Sequence, residues 1–176
     1  LAALWRSLIS AKVIAVTGSN GKTTTCRLID AVLRELGAGS VSQKSFNNAL
    51  GVPITVLNAK QDDVYLVCEL GTSSHGEIAA RTALCKPHIA AIVSIGRAHL
   101  EELGSRAGVL KEKASIAAGA ATVVIPAGID GLEDAVRAHN PANIMQVSAD
   151  DAIASPLPGE HNRSNAAIAH AIGRTM

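Results

Sequence analysis

The seven residues Gly18-Ser19-Asn20-Gly21-Lys22-Thr23-Thr24 combine what a polyphosphate needs from a protein. Gly18 and Gly21 let bare backbone N–H groups approach the phosphates. Lys22 brings a mobile ammonium for the outer phosphates, and Thr23 brings a hydroxyl suited to magnesium. The common pattern has a further glycine five residues before Gly21, where this chain has Val16. The context compensates, because the turn lies between the aliphatic run KVIAVT and a helix-forming segment.

Three more side chains could join this chemistry. Glu69 ends the apolar run VYLVCEL, and His99 follows HIAAIVSIG. Ligands of an open parallel sheet gather beyond the carboxyl ends of its strands, so both are expected at the edge that carries the glycine turn, where they can hold or orient magnesium. Their plainer readings are a solvated strand end and a capping histidine. Lys113 shares a helical face with Val109 and Ile116, an expensive place for an ammonium unless its stem snorkels to water. Asn162 and Asn165, three apart in GEHNRSN, can present two amides to a base edge or can simply cap a helix.

The elements that must position these residues follow from hydrophobic periodicity. Strands are expected at 12–17, 64–70, 88–96, 122–126 and 143–147. Helices are expected at 26–37, from about 76 to 85, 105 to 118 and 130 to 139, and from about 162 onward. Leu28, Ile29, Val32, Leu33 and Leu36 are expected to face inward, and Gly37 to stop the helix. Leu1, Leu4, Trp5 and Leu8 fall at helical spacing, which makes residues 1–10 a connector helix before a domain at 11–176. Alternating strands and helices predict an α/β fold, three layers with a mostly parallel sheet flanked by helices.

Composition narrows the partners. With 16 basic and 15 acidic residues and a net charge of +1, the chain has no footprint for nucleic-acid phosphates. Aromatic residues make up 2% against 48% hydrophobic, so the core is aliphatic. The three cysteines, Cys26, Cys68 and Cys85, lack metal-ligand spacing and read as reduced core residues of a cytoplasmic protein. No apolar run reaches membrane-spanning length, and no signal peptide opens the sequence.

Six segments taken together, VIAVTGSNGKTTT, FNNALGVP, ELGTSSHGEI, IGRAHLEELGS, LKEKASI and LPGEHNRSN, resemble the Mur ligases in order and spacing. The resemblance covers residues 13 to 119 and 157 to 172. It implies the P-loop-containing central ATP-binding domain of a ligase in which ATP phosphorylates a substrate carboxylate and an amine attacks the acyl phosphate. Within the family, NNALGVP and ELGTSSHGEI resemble the branch that adds D-alanyl-D-alanine to a UDP-N-acetylmuramoyl-tripeptide in peptidoglycan synthesis. The implied cofactors are ATP and two magnesium ions (Mg2+). Lys22 would hold the outer phosphates, Thr23 and Glu69 the first magnesium, and His99 the second. Lys113 matches the lysine that becomes a carbamate. Asn47 and Asn48 fall in the substrate-binding segment, and His161, Asn162 and Asn165 in the adenine-binding set.

Ser115 and Glu160 depart from the Glu and Arg usual at their positions, and few residues separate TVVIP from LPGEHN. The family's amino-terminal UDP-binding domain and its carboxy-terminal domain are not among these residues, so the chain alone is expected to be inactive as a ligase. Two rivals remain at this point: another ligase of the superfamily, of the folylpolyglutamate synthase kind, and a nucleotide-binding module without ligase activity.

Overall fold

The computed structural model describes residues 1–44, 46–96, 103–152 and 155–176. A run of buried aliphatic residues forms each central strand. β1 (Lys12–Thr17), β3 (Tyr65–Glu69), β4 (Ile89–Ile92) and β5 (Thr122–Pro126) are buried along almost their whole length, as strands covered on both faces must be. With β2 (Gly39–Val41) and β6 (Asn143–Val147) they make a six-stranded sheet in the order β2-β3-β1-β4-β5-β6, every pairing parallel.

The period of two along β1 divides its side chains between two cores. Val13 and Ala15 join the first core, with α1 (Ala2–Leu8), α3 (Gly51–Asn58), α4 (Glu77–Cys85), α5 (Arg106–Ala114) and α6 (Leu132–Arg137). Ile14 and Val16 join the second, with α2 (Lys22–Leu33) and α7 (Glu160–Gly173). This is the expected three-layer architecture. All three cysteines are buried and free of disulfides. Among the described residues no helix is long and apolar enough to cross a membrane.

Two local expectations changed, and two elements appear where none was expected. The connector helix turns a different face inward: Ala2, Arg6 and Ile9 are buried, while Leu1, Leu4 and Leu8 are exposed and Trp5 is half-buried. Polar anchors decide this. Trp5 Nε1 donates to the Ala59 carbonyl at 2.9 Å, and the Arg6 guanidinium donates to the carbonyls of Cys85 and Lys86, capping the end of α4. α2 begins at Lys22, not 26, and buries Ile29 and Leu33 but leaves Val32 and Leu36 exposed, because only one stripe of a helix can meet the sheet. GVPITVLN is a helix, with Pro53 tolerated in its first turn. Finally β2, three half-buried residues at the sheet edge, is too short and polar to register as a strand in the sequence.

Candidate functional site

β1 ends at Thr17 in the middle of the sheet, opposite the ends of β3 and β4: Val16 pairs with Glu69 and Thr17 with Ile92. The chain leaves β1 toward β2 and β3 and later crosses to β4, so the strand order reverses beside β1. A crevice is expected at such a switch point. Gly21 sits there in a left-handed conformation (φ 82°) as the N-cap of α2. Thr25 N bonds the Gly21 carbonyl at 2.9 Å, so by helix geometry the amides of Lys22, Thr23 and Thr24 have no intrahelical acceptor and form an anion-binding helix start. The Lys22 ammonium folds back onto the Gly18 carbonyl at 2.9 Å.

The rest of the loop is held by the segment that follows β4. Ser19 N donates to the Ser94 carbonyl (3.0 Å). Ser94 Oγ accepts from Asn20 N (2.9 Å) and stands 3.0 Å from the Asn20 carbonyl, while Ser19 Oγ accepts from Gly96 N (2.8 Å). A Cβ on Gly18 would lie 3.0 Å from both Ser94 N and Val93 Cβ, which explains why glycine opens the loop.

Glu69 and Thr23 come together as their sequence positions suggest. Thr23 Oγ1 donates to Glu69 Oε2 at 2.7 Å, and Asn47 Nδ2 donates to Oε1 at 2.7 Å. Glu69 is only 2% exposed. Asn47 is thus beside the carboxylate, whereas the Asn48 Oδ1 accepts from Leu50 N at 3.1 Å and Gly51 N at 2.8 Å in the turn that leads into α3. Among the described residues no group of three or more His, Cys, Asp or Glu could hold a metal. One hydroxyl and one carboxylate nonetheless fit magnesium, which keeps water and takes further oxygens from phosphate.

Lys113 is 1% exposed on α5, so the inward face predicted from its spacing is real and the snorkelling alternative is not realised. Burial, reinforced by the charge of Lys22, brings its ammonium down to about 8. The expectation for His99 lies outside the described residues.

Beyond Gly21 a cavity of about 490 Å³ opens, lined by Asn20, Gly21, Val93 to Gly96, Pro126, Ile129, His161, Ser164 and Asn165. His161 and Asn165 therefore share one wall. Asn165 is buried, and its Nδ2 donates to Asn162 Oδ1 at 3.4 Å, while Asn162 Nδ2 is held by the Pro158 carbonyl at 2.7 Å. The helix starts at Glu160, so these amides project from its first turns and not from a loop.

Sequence reasoning missed Ser94, whose role depends on a contact 74 residues away, and the apolar floor of the cavity, Val93, Ile95, Pro126 and Ile129. It also missed Glu112, a buried carboxylate beside Lys113. Residues 93–96 were expected as the end of a strand at 88–96, whereas the strand stops at Ile92 and they form the segment after it.

The Mur ligase middle domain family matches residues 16–152. The chain is 40% identical over 119 residues to UDP-N-acetylmuramoyl-tripeptide-D-alanyl-D-alanine ligase of Escherichia coli (strain K12), an alignment that covers 68% of this chain and 26% of that protein. A crystal structure of MurF from Acinetobacter baumannii superimposes with a TM-score of 0.88 at 30% identity, covering all of this chain and 46% of that one. The MurF ligase of Thermotoga maritima, solved in complex with ADP, superimposes with a TM-score of 0.71 at 28% identity, over 83% of this chain and 34% of that one. The chain thus spans about a quarter of the curated relative's length and under half of the first of these structures. With a family model that matches residues 16–152 and relatives 40% identical over 119 residues, the chain belongs to the Mur ligase middle domain family.

Proposed function

We propose that these residues form the ATP-binding domain of a cytoplasmic ligase that adds D-alanyl-D-alanine to UDP-N-acetylmuramoyl-tripeptide. The observation that carries the reading is the 2.7 Å contact between Thr23, in the first turn of α2, and the buried Glu69. Curated relatives that are 40% identical to this chain over 119 residues are named for this reaction.

ATP would lie across the loop, its base in the cavity by His161 and Asn165 and its phosphates at the start of α2. Lys22 would leave the Gly18 carbonyl for the outer phosphates. Thr23 and Glu69 would hold a first magnesium; His99 and a carbamylated Lys113 would hold a second. Magnesium supplies charge neutralisation where the γ-phosphoryl group is transferred. In that reaction a carboxylate oxygen of the tripeptide attacks the γ-phosphorus and ADP leaves. The amine of D-alanyl-D-alanine then attacks the acyl carbon, inorganic phosphate leaves and one proton is released. The chain's own groups bind, orient and exclude water, and Asn47 keeps Glu69 turned toward Thr23.

A ligase needs its two other substrates positioned as well. Because the chain spans about a quarter of the curated relative, nucleotide binding without amide synthesis is expected of these residues alone. The test is to incubate the chain, and separately a longer protein that contains it, with ATP, magnesium, UDP-N-acetylmuramoyl-tripeptide and D-alanyl-D-alanine, and to measure ADP and product by mass spectrometry. Product from the longer protein only is expected. ATP binding by the chain with no product from the longer protein would favour a binding module.

A further inference from the structure

Glu112 is a buried carboxylate, 5% exposed, for which the reaction above has no use. It lies on α5 immediately before Lys113, and both of its oxygens are engaged by another element. Oε2 accepts from Gly76 N at 2.7 Å and Oε1 from Ile78 N at 2.8 Å, the amides that open α4, and the Thr72 hydroxyl stands 3.4 Å from Oε1. A carboxylate at a helix start satisfies otherwise orphaned donors and meets the positive end of the helix dipole, which offsets the cost of burying the charge.

The anchored segment leads directly from Glu69. Leu70 and Gly71 follow that residue, and Thr72 to Gly76 make a short loop before α4. Within the loop Thr72 Oγ1 donates to the Ser74 carbonyl (2.8 Å) and Glu77 Oε2 accepts from Ser73 N (2.6 Å) and Ser74 N (3.2 Å). The Ser73 amide, with Arg81 and the Ser74 amide, holds the Glu77 carboxyl at about 2. Arg81 Nη1 donates to the Gly71 carbonyl at 2.7 Å and pairs with Glu77. The loop is therefore stiff in itself, and Glu112 is what fastens it to the helix of Lys113.

We propose that Glu112 is a positioning residue, which sets Lys113 against Glu69 by clamping α5 to the loop between β3 and α4. The inference rests on the reading of Lys113 as a carbamate facing magnesium. Two oxygen donors serving neighbouring ions must keep a fixed separation, and backbone-anchored side chains supply that at little entropic cost. Packing alone does not account for the choice of residue, since an apolar side chain would fill the space without the cost of a buried charge.

The test uses the chain in ¹³C-bicarbonate with ADP and magnesium, and reads the carbamate resonance of Lys113 by NMR alongside the amide exchange of Gly76 and Ile78. Glu112→Gln keeps the shape but can accept only one of the two N–H bonds. It is expected to lose at least fivefold of the carbamate signal and to exchange Gly76 or Ile78 faster, while its ADP affinity stays within twofold. Removing a negative charge beside the amine would, by electrostatics alone, favour the neutral amine and the anionic carbamate, so a fall isolates the positioning effect. Leu110→Ala, which loosens the packing of the same helix, is the control for stability and is expected to keep the signal. A wild-type resonance retained in Glu112→Gln would overturn this inference and leave the carbamate reading intact. Absence of the resonance from the unmodified chain would overturn both, and a loss as large in Leu110→Ala would show that Glu112 acts through stability alone.

Discussion

A methyl group on Gly21 would fall 2.8 Å from Oδ1 of Asn165, although the two residues belong to different helices and lie 144 positions apart in the sequence (165 − 21). The glycine turn and the wall of the cavity lined by His161 and Asn165 therefore meet at the α-carbon of one glycine. That glycine is also left-handed, at φ 82°.

Gly21→Ala consequently suffers both a close approach and a backbone conformation that L residues rarely adopt. The expected result is a fold weakened by roughly 1–2 kcal/mol and nucleotide affinity reduced more than about tenfold, which corresponds to 1.4 kcal/mol. Chemical denaturation and calorimetry with ADP would check the two effects separately. Unchanged affinity would mean that the loop and the cavity do not serve one ligand.

Glu69→Gln should separate magnesium from nucleotide. The amide oxygen can still accept the Thr23 hydroxyl and the amide nitrogen can donate to Asn47 once that side chain flips, so the pair with Thr23 is kept while the negative charge is gone. ATP affinity without magnesium should stay within about threefold, and the gain on adding magnesium should shrink by about tenfold. Equal magnesium dependence in the two proteins would remove Glu69 from the ion's site.

Lys113→Met should stabilise the chain while ending its proposed role. A buried ammonium brought down to about 8 opposes folding at neutral pH, and that cost declines only as pH rises from about 8 toward the ordinary lysine value. A gain of about 1–3 kcal/mol at pH 7, shrinking above pH 8, is expected from urea melts. A longer protein that contains the chain should lose the proposed ligase activity on carrying the substitution. A less stable variant would show that the lysine has partners that stabilise it.

His88 contributes a dependence of the same sign in a lower pH window. Its Nδ1 accepts the Val13 amide at 2.9 Å, and partial burial, with Arg6 and Lys12 nearby, keeps its pKa below the ordinary histidine value. The neutral ring belongs to the folded state, so this stability is fully present above about pH 6.5 and is lost as pH falls through the depressed value. His88→Ala should be less stable at pH 7.5 but show a shallower loss between pH 7 and 5. Parallel pH profiles for both proteins would contradict this.

Much of the site was legible because its parts are local. The loop 18–24 carries its own glycines, lysine and threonine, and Glu69 could be placed at the sheet edge from the end of one apolar run. Lys113 was legible from period alone, since Val109 and Ile116 mark its face. What escaped depends on distant partners. The inward face of α1 is chosen by the carbonyls of Ala59, Cys85 and Lys86, and the shape of the phosphate loop by Ser94. The helix at Gly51–Asn58 was obscured by Pro53 and by β-branched residues that favour strands, and the turn that Asn48 Oδ1 holds before it is not marked by any run of residues.

The most direct measurement is calorimetric titration of the chain and of Lys22→Ala with ATP and magnesium. Lys22 supplies the mobile charge of the phosphate loop, and it rests on the Gly18 carbonyl at 2.9 Å, ready to exchange that acceptor for a phosphate oxygen. Loss of a charge-assisted contact of this kind predicts binding weaker by about 10- to 100-fold in the variant, with its melting temperature little changed. Equal affinities for the two proteins would contradict the assignment of residues 18–24 as the phosphate loop, and with it the account of the site.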